Sequence, residues 1–219
     1  MAQHESETMT HTRAIWRDYA RFYRVLGGIA LVLIGVGIGR ILFAGEDNGF
    51  SYSTNLYTEF VSIAVTIFII DFLNRQRDER REIQRLLRDV GSQSNEAARS
   101  AIHELGQRDM LVGENGILKG AHLIFANLQD ANLWSVNLSG ANLDNANLEG
   151  AYLRKTDLRR ASLRRANLQG ANLKGANLEG IFMRQARIAD VMCDSKTTLP
   201  DGTKWHADVD WQEFGATVR

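Results

Sequence analysis

The densest cluster of chemically capable side chains in this sequence is basic. Arg154, Lys155, Arg159, Arg160, Arg164 and Arg165 arrive in pairs at five-residue intervals. Six cations in so short a stretch attract anions, whether an acidic protein surface, lipid headgroups or nucleic acid. Trp134, twenty residues before Arg154, adds an aromatic ring of the kind that pairs with arginine at interface hot spots. Nothing comparable points to catalysis. His4, His11, His103, His122 and His206 show no metal-ligand spacing, there is no phosphate-binding glycine loop, and His206 with Asp208 and Asp210 reads as a polar surface cluster. Cys193 is the single cysteine, so no internal disulfide forms. The expectation is a protein that is not an enzyme and uses no cofactor or metal.

The element that carries these residues is a repeat. From Ala121 the sequence runs AHLIF, ANLQD, ANLWS, VNLSG, ANLDN, ANLEG, AYLRK, TDLRR, ASLRR, ANLQG, ANLKG, ANLEG. A looser unit, GILKG, precedes these twelve, and IFMRQ, ARIAD and VMCDS follow with Met183, Ile188 and Cys193 in the leucine position, so sixteen units fill residues 116–195. This pattern resembles the pentapeptide-repeat family. The resemblance implies a right-handed quadrilateral β-helix with four units per turn. That makes about four coils, a rod about 20 Å tall at the ~4.8 Å spacing of stacked strands.

In that frame the central leucines and the alanines two places before them point inward, and the intervening Asn, Asp, Arg and Glu face water. Cys193 becomes a small core side chain rather than a reactive thiol. The six basic residues wrap three faces of one coil as a belt, with Trp134 one coil away from Arg154. With Lys119, Lys174, Arg184 and Arg187 the solenoid has ten basic residues against seven acidic ones, a net charge of about +3. Register is lost at Lys196, where Leu199 is one place out of phase. Residues 196–219 then read as a C-terminal cap, with Trp205, Trp211 and Phe214 folding over the last coil.

The N-terminal third predicts a membrane anchor. Residues 25–43 and 56–73 read as two transmembrane helices joined by a short polar loop, making a hairpin across residues 25–73. Arginines flank both outer ends (Arg13, Arg17, Arg21 and Arg24; Arg75, Arg77, Arg80 and Arg81), which puts both termini in the cytoplasm. Residues 1–24 include an interfacial amphipathic helix with arginines opposite Trp16, Tyr19, Phe22 and Tyr23. Within the hairpin, Gly35 and Gly39 offer a close-packing face that Ser62 and Thr66 match, and Arg40 and Glu59 lie at similar depth as an ion pair. Residues 74–115 read as a charged helical neck, with Ile83, Leu86, Leu87 and Val90 as its apolar stripe, and a short helix that caps the first coil.

The whole chain balances 26 basic against 26 acidic residues, which argues against a general polyanion binder, and no nucleic acid is expected as a partner. DNA mimicry, known in the resembled family, needs an acidic rod. The expected function is a non-catalytic scaffold tethered to a bacterial inner membrane, with the lipid bilayer and an unidentified cytoplasmic protein as partners. The alternative is a self-assembling membrane protein, a homo-oligomer that organises or permeabilises the membrane.

Overall fold

Leucine at every fifth position has one inward place to go when the chain turns a right angle after each unit. In this computed structural model, which describes Gly28 and residues 49–218 with side chains from residue 59 onward, that turn is made throughout the repeat. The chain divides into two compact units, Met1–Arg80 and Arg81–Arg219.

The second unit holds the solenoid. Its ladder is parallel with a twenty-residue step, as in Asn127 to Asn147 to Asn167 and Asn132 to Tyr152 to Asn172, so four five-residue faces complete each coil. Leu128, Leu148 and Leu168 stack in one column of the core and Leu138, Leu158 and Leu178 in another, all essentially inaccessible to solvent. Alanines fill the smaller inward position, so each face supplies one large and one small side chain and the square interior is filled.

Each corner is a four-residue turn from Leu to Ala, with the amide of Ala126 donating to Leu123 O at 3.1 Å and the same bond at successive units. The fifth residue of every unit from Gly120 to Asp190 has a positive φ, between 53° and 70°. A type II turn requires that conformation at its third residue, where glycine carries no Cβ penalty. Six of these corners use glycine, and the others use residues from Asn145 to Phe125.

The asparagines at the second position do more than face water. Asn127, Asn137, Asn142, Asn147, Asn167, Asn172 and Asn177 each accept, through Oδ1, the amide two residues on, which pins the approach to the turn. Asn137 and Asn167 are only 7% exposed. Asn167 Nδ2 also donates to Asn147 Oδ1 at 3.2 Å, and Asn147 in turn to Asn127, so that column is laddered.

Both ends of the solenoid are covered. The helix α1 (Gly49–Val90) ends with Leu86 and Val90 in the core, and α2 (Asn95–Gln107) lays Ala98, Ala101, Ile102 and Leu105 over the first coil. Ser94 caps α2 by accepting the Ala97 amide. Arg108 ties the two helices, bonding Glu82 at 2.9 Å and Glu104 at 2.6 Å, and its guanidinium holds the Glu82 carboxyl below the ordinary range.

At the other end the register shifts by one residue and resumes. Asn177 pairs with Thr198, twenty-one residues on, and Leu199 is buried in the leucine place over Leu178. Asp194 Oδ1 absorbs the extra residue by accepting the amides of Gly175 and Lys196. The chain then makes a hairpin between Thr198 and Lys204, and a 3-10 turn (Trp211–Phe214) that buries Trp211. Thr217 finally pairs in parallel with Arg187.

The first unit corrects the membrane reading. Among the described residues no helix is long and apolar enough to cross a membrane. The uncharged run of α1, Phe60 to Ile70, is eleven residues, about 16 Å at 1.5 Å per residue against the ~30 Å hydrocarbon thickness. Glu59 bounds it on one side, and Asp71, which pairs with Arg75 at 2.7 Å, bounds it on the other. The two-helix hairpin is therefore not the architecture of the described chain, and the assignment to a bacterial inner membrane with two spans falls with it. The proposed first span at 25–43, its Gly35, Gly39 and Arg40, and the interfacial helix before it lie outside the described residues, Gly28 excepted. Glu59 is exposed, and Thr66 donates to Ser62 O within its own helix.

Candidate interaction surface

The turns place the basic side chains. Because the fourth and fifth residues of a unit form the corner, Arg154 and Lys155, Arg159 and Arg160, and Arg164 and Arg165 occupy three successive corners of one coil, and all six are exposed. The corners are held from both sides. The amides of Lys155, Arg160 and Arg165 donate to Lys174, Glu179 and Arg184 of the next coil, and Arg154, Arg159 and Arg164 carbonyls accept from Ser135, Gly140 and Asn145 of the previous one. Flexible side chains thus project from a backbone that binding would not need to order.

Their charges are little compensated. Among the described residues Arg159 alone of the six is ion-paired, with Asp157 at 2.7 Å. Partial burial works to raise the Asp157 pKa, but the side-chain and backbone donors of Arg159 hold it below the usual value. An exposed pair of this kind contributes about 0–1 kcal/mol. Arg165 donates to Gln185 at 3.0 Å, and Arg164 lies over the Phe182 ring at 5.4 Å.

Trp134 is 55% exposed, and the cation over its ring is Lys155, at 5.8 Å, rather than Arg154. Arg154 instead joins Trp134 in lining a shallow open cleft of about 430 Å³ with Tyr152, Asn132, Asp130 and Arg99. Sequence reasoning missed Tyr152 and Phe182, although both stand where the repeat prefers Asn, Asp or Ser, and that departure was the available signal. Arg99, on α2, had no such signal.

The remaining chemistry is quiet. Among the described residues no group of three or more His, Cys, Asp or Glu is placed to hold a metal ion. Burial, with the Asp194 charge adding to it, pushes the Cys193 thiol up to about 12, so it is protonated at neutral pH and a poor nucleophile.

A parallel square coil with a five-residue unit, small and large inward residues in alternation and type II corners defines a pentapeptide-repeat domain. The family model for pentapeptide repeats matches residues 117–154 and 141–180 with eight copies. The solenoid of this chain belongs to that family. Domains of this family are generally non-enzymatic and serve structure or protein interaction.

Among solved structures the chain is similar to a pentapeptide repeat protein from the cyanobacterium Cyanothece 51142. Identity there is 36%, over 36% of this chain and 54% of that one, with a TM-score of 0.36. A thylakoid-lumen pentapeptide repeat protein of Arabidopsis thaliana is 24% identical over 40% of this chain and 66% of its own, TM-score 0.36. HetL of Nostoc sp. strain PCC 7120, involved in heterocyst differentiation regulation, is 28% identical over 40% and 63%, TM-score 0.22. The chain thus spans between about half and two thirds of these structures. A comparison with curated proteins finds no match.

Proposed function

We propose that this chain is a non-catalytic interaction scaffold whose solenoid docks an acidic protein surface through the belt of Arg154, Lys155, Arg159, Arg160, Arg164 and Arg165. The observation that carries this reading is the concentration of six exposed cations, one of them ion-paired, on three corners of a single coil. Such a surface steers an acidic partner into register and rejects basic ones. Affinity capture with the full-length chain, beside a variant carrying Arg160→Glu, Arg164→Glu and Arg165→Glu, tests it. A partner lost from the variant, while the variant melts like the parent, supports docking at the belt. A partner retained equally by both baits refutes it.

A second reading, self-association, draws on α1. Phe60, Ile63, Ile67 and Ile70 expose more than half of their surface in one short stretch, a continuous apolar patch of the kind that marks interaction sites. Recovery of the chain alone from both baits, with a sedimentation mass above the monomer, favours this reading over the first.

A further inference from the structure

The cleft beside the belt has a composition of its own. Trp134 and Tyr152, more than half exposed, supply two aromatic surfaces one coil apart, and Arg99 and Arg154 supply two guanidinium groups from different elements. Lys155 over the indole and Lys174, one coil on from Arg154, add positive charge at the same corner. Asp130 is the single acid in the lining. Aromatic rings flanked by arginine take ligands that are apolar in one part and anionic in another. Asp130 accepts hydrogen bonds from an N–H and repels a uniformly anionic strand, which favours a peptide over a nucleic acid.

We propose that this cleft seats a short acidic peptide segment of the docked partner, its aromatic or aliphatic side chain against Trp134 and Tyr152 and its carboxylates on Arg99 and Arg154. The site deepens the scaffold reading and rests on it. The aromatic rings would select the sequence of the segment, and the belt would supply charge attraction that many acidic proteins share.

The test uses the full chain and three fluorescently labelled probes: a random copolymer of glutamate and tyrosine, poly-glutamate, and a single-stranded DNA oligonucleotide. Anisotropy titrations at physiological salt are run with the parent, with Trp134→Ala, with Tyr152→Ala, and with the triple belt variant. The copolymer is expected to bind at least about tenfold tighter than poly-glutamate, and each aromatic substitution to erase about that factor while leaving poly-glutamate within about twofold. The belt variant is expected to weaken both polymers. Both aromatic side chains are exposed, so their removal leaves the core intact. Equal binding of the two polymers, unmoved by Trp134→Ala but lost in the belt variant, overturns the cleft and leaves the belt standing. Failure of both polymers to bind overturns both readings, and tighter binding of the oligonucleotide than of the copolymer overturns the peptide assignment.

Discussion

Thr156 stands where the repeat ordinarily has alanine, and its replacement by that consensus residue should destabilise the protein. The side chain is fully buried, and its Oγ1 donates to Leu133 O at 2.6 Å. Its neighbours above and below in the inward column are Val136 and Ala176, both buried. Thr156→Val keeps the shape and loses the donor. Leu133 O still accepts from the Val136 amide at 3.2 Å and is not orphaned, so the loss is one hydrogen bond, about 1 kcal/mol. Thr156→Ala loses the same bond and a buried methyl worth ~0.8 kcal/mol of transfer. The coils on either side are fixed by their ladder and cannot close the gap, so a cavity contribution follows and the sum is about 2–2.5 kcal/mol. Thermal and urea unfolding followed by tryptophan fluorescence reads the lid through Trp205 and Trp211, and each kcal/mol should lower the midpoint by roughly 3–5 °C. The order parent, valine, alanine is the prediction. An alanine variant as stable as the parent, or a valine variant worse than alanine, would refute the reasoning.

Leu148→Ala, in the middle of a stacked leucine column, should cost about 3–5 kcal/mol in the same urea titration, and a loss below about 1.5 kcal/mol would mean that the coils can collapse. Gly116→Ala should cost roughly 2–3 kcal/mol by overpacking, because its Cβ would sit 2.6 Å from Leu111 O and 2.9 Å from Asn137 Cβ. Gly170→Ala meets nothing within 4 Å and suffers from its positive φ alone, about 1–2 kcal/mol; equal melting points for the two variants would contradict this. Cys193, raised by folding from 9.0 to about 12, favours the folded state fully below pH 9 and loses that contribution as pH rises through 9 to 12. Its reaction with a colorimetric disulfide reagent at pH 8 should be slow in the folded chain and fast in urea, and Cys193→Ala should flatten the alkaline loss of stability; fast labelling of the folded protein is the contrary result.

The repeat was legible because each unit states its own geometry. Leucine and alanine mark the interior, and the resemblance of the five-residue unit to the pentapeptide-repeat family implies the β-helix. The corner conformation leaves only a partial signal: glycine stands at six of the fifteen corners from Gly120 to Asp190, and residues as unlike it as Phe125 and Arg165 adopt the same positive φ. The loss of register at Lys196 was legible, but its resumption with Leu199 in the leucine place was not, since that depends on Asp194 gathering amides from two coils. Nor was the second role of asparagine, whose bond to the turn amide is a matter of direction rather than composition. The anchor was overread for a different reason. The span read at 56–73 takes in Glu59 and Asp71, and the uncharged stretch between them, eleven residues, is too short to cross the hydrocarbon. At the candidate surface the belt could be read from spacing, whereas the approach of Arg99 to Trp134 required knowledge of where α2 lies.

The twenty-residue step has a consequence at the level of the gene. At three nucleotides for each residue of a coil, an in-frame duplication of sixty nucleotides inserts a complete coil and returns every downstream residue to its own face, with both lids still fitting. A duplication of fifteen nucleotides adds one unit, turns everything beyond it by a quarter of the square and carries the basic corners to new directions. Lengthening the rod and re-aiming its surface are thus separate mutational events, and both leave the leucine and alanine interior in phase.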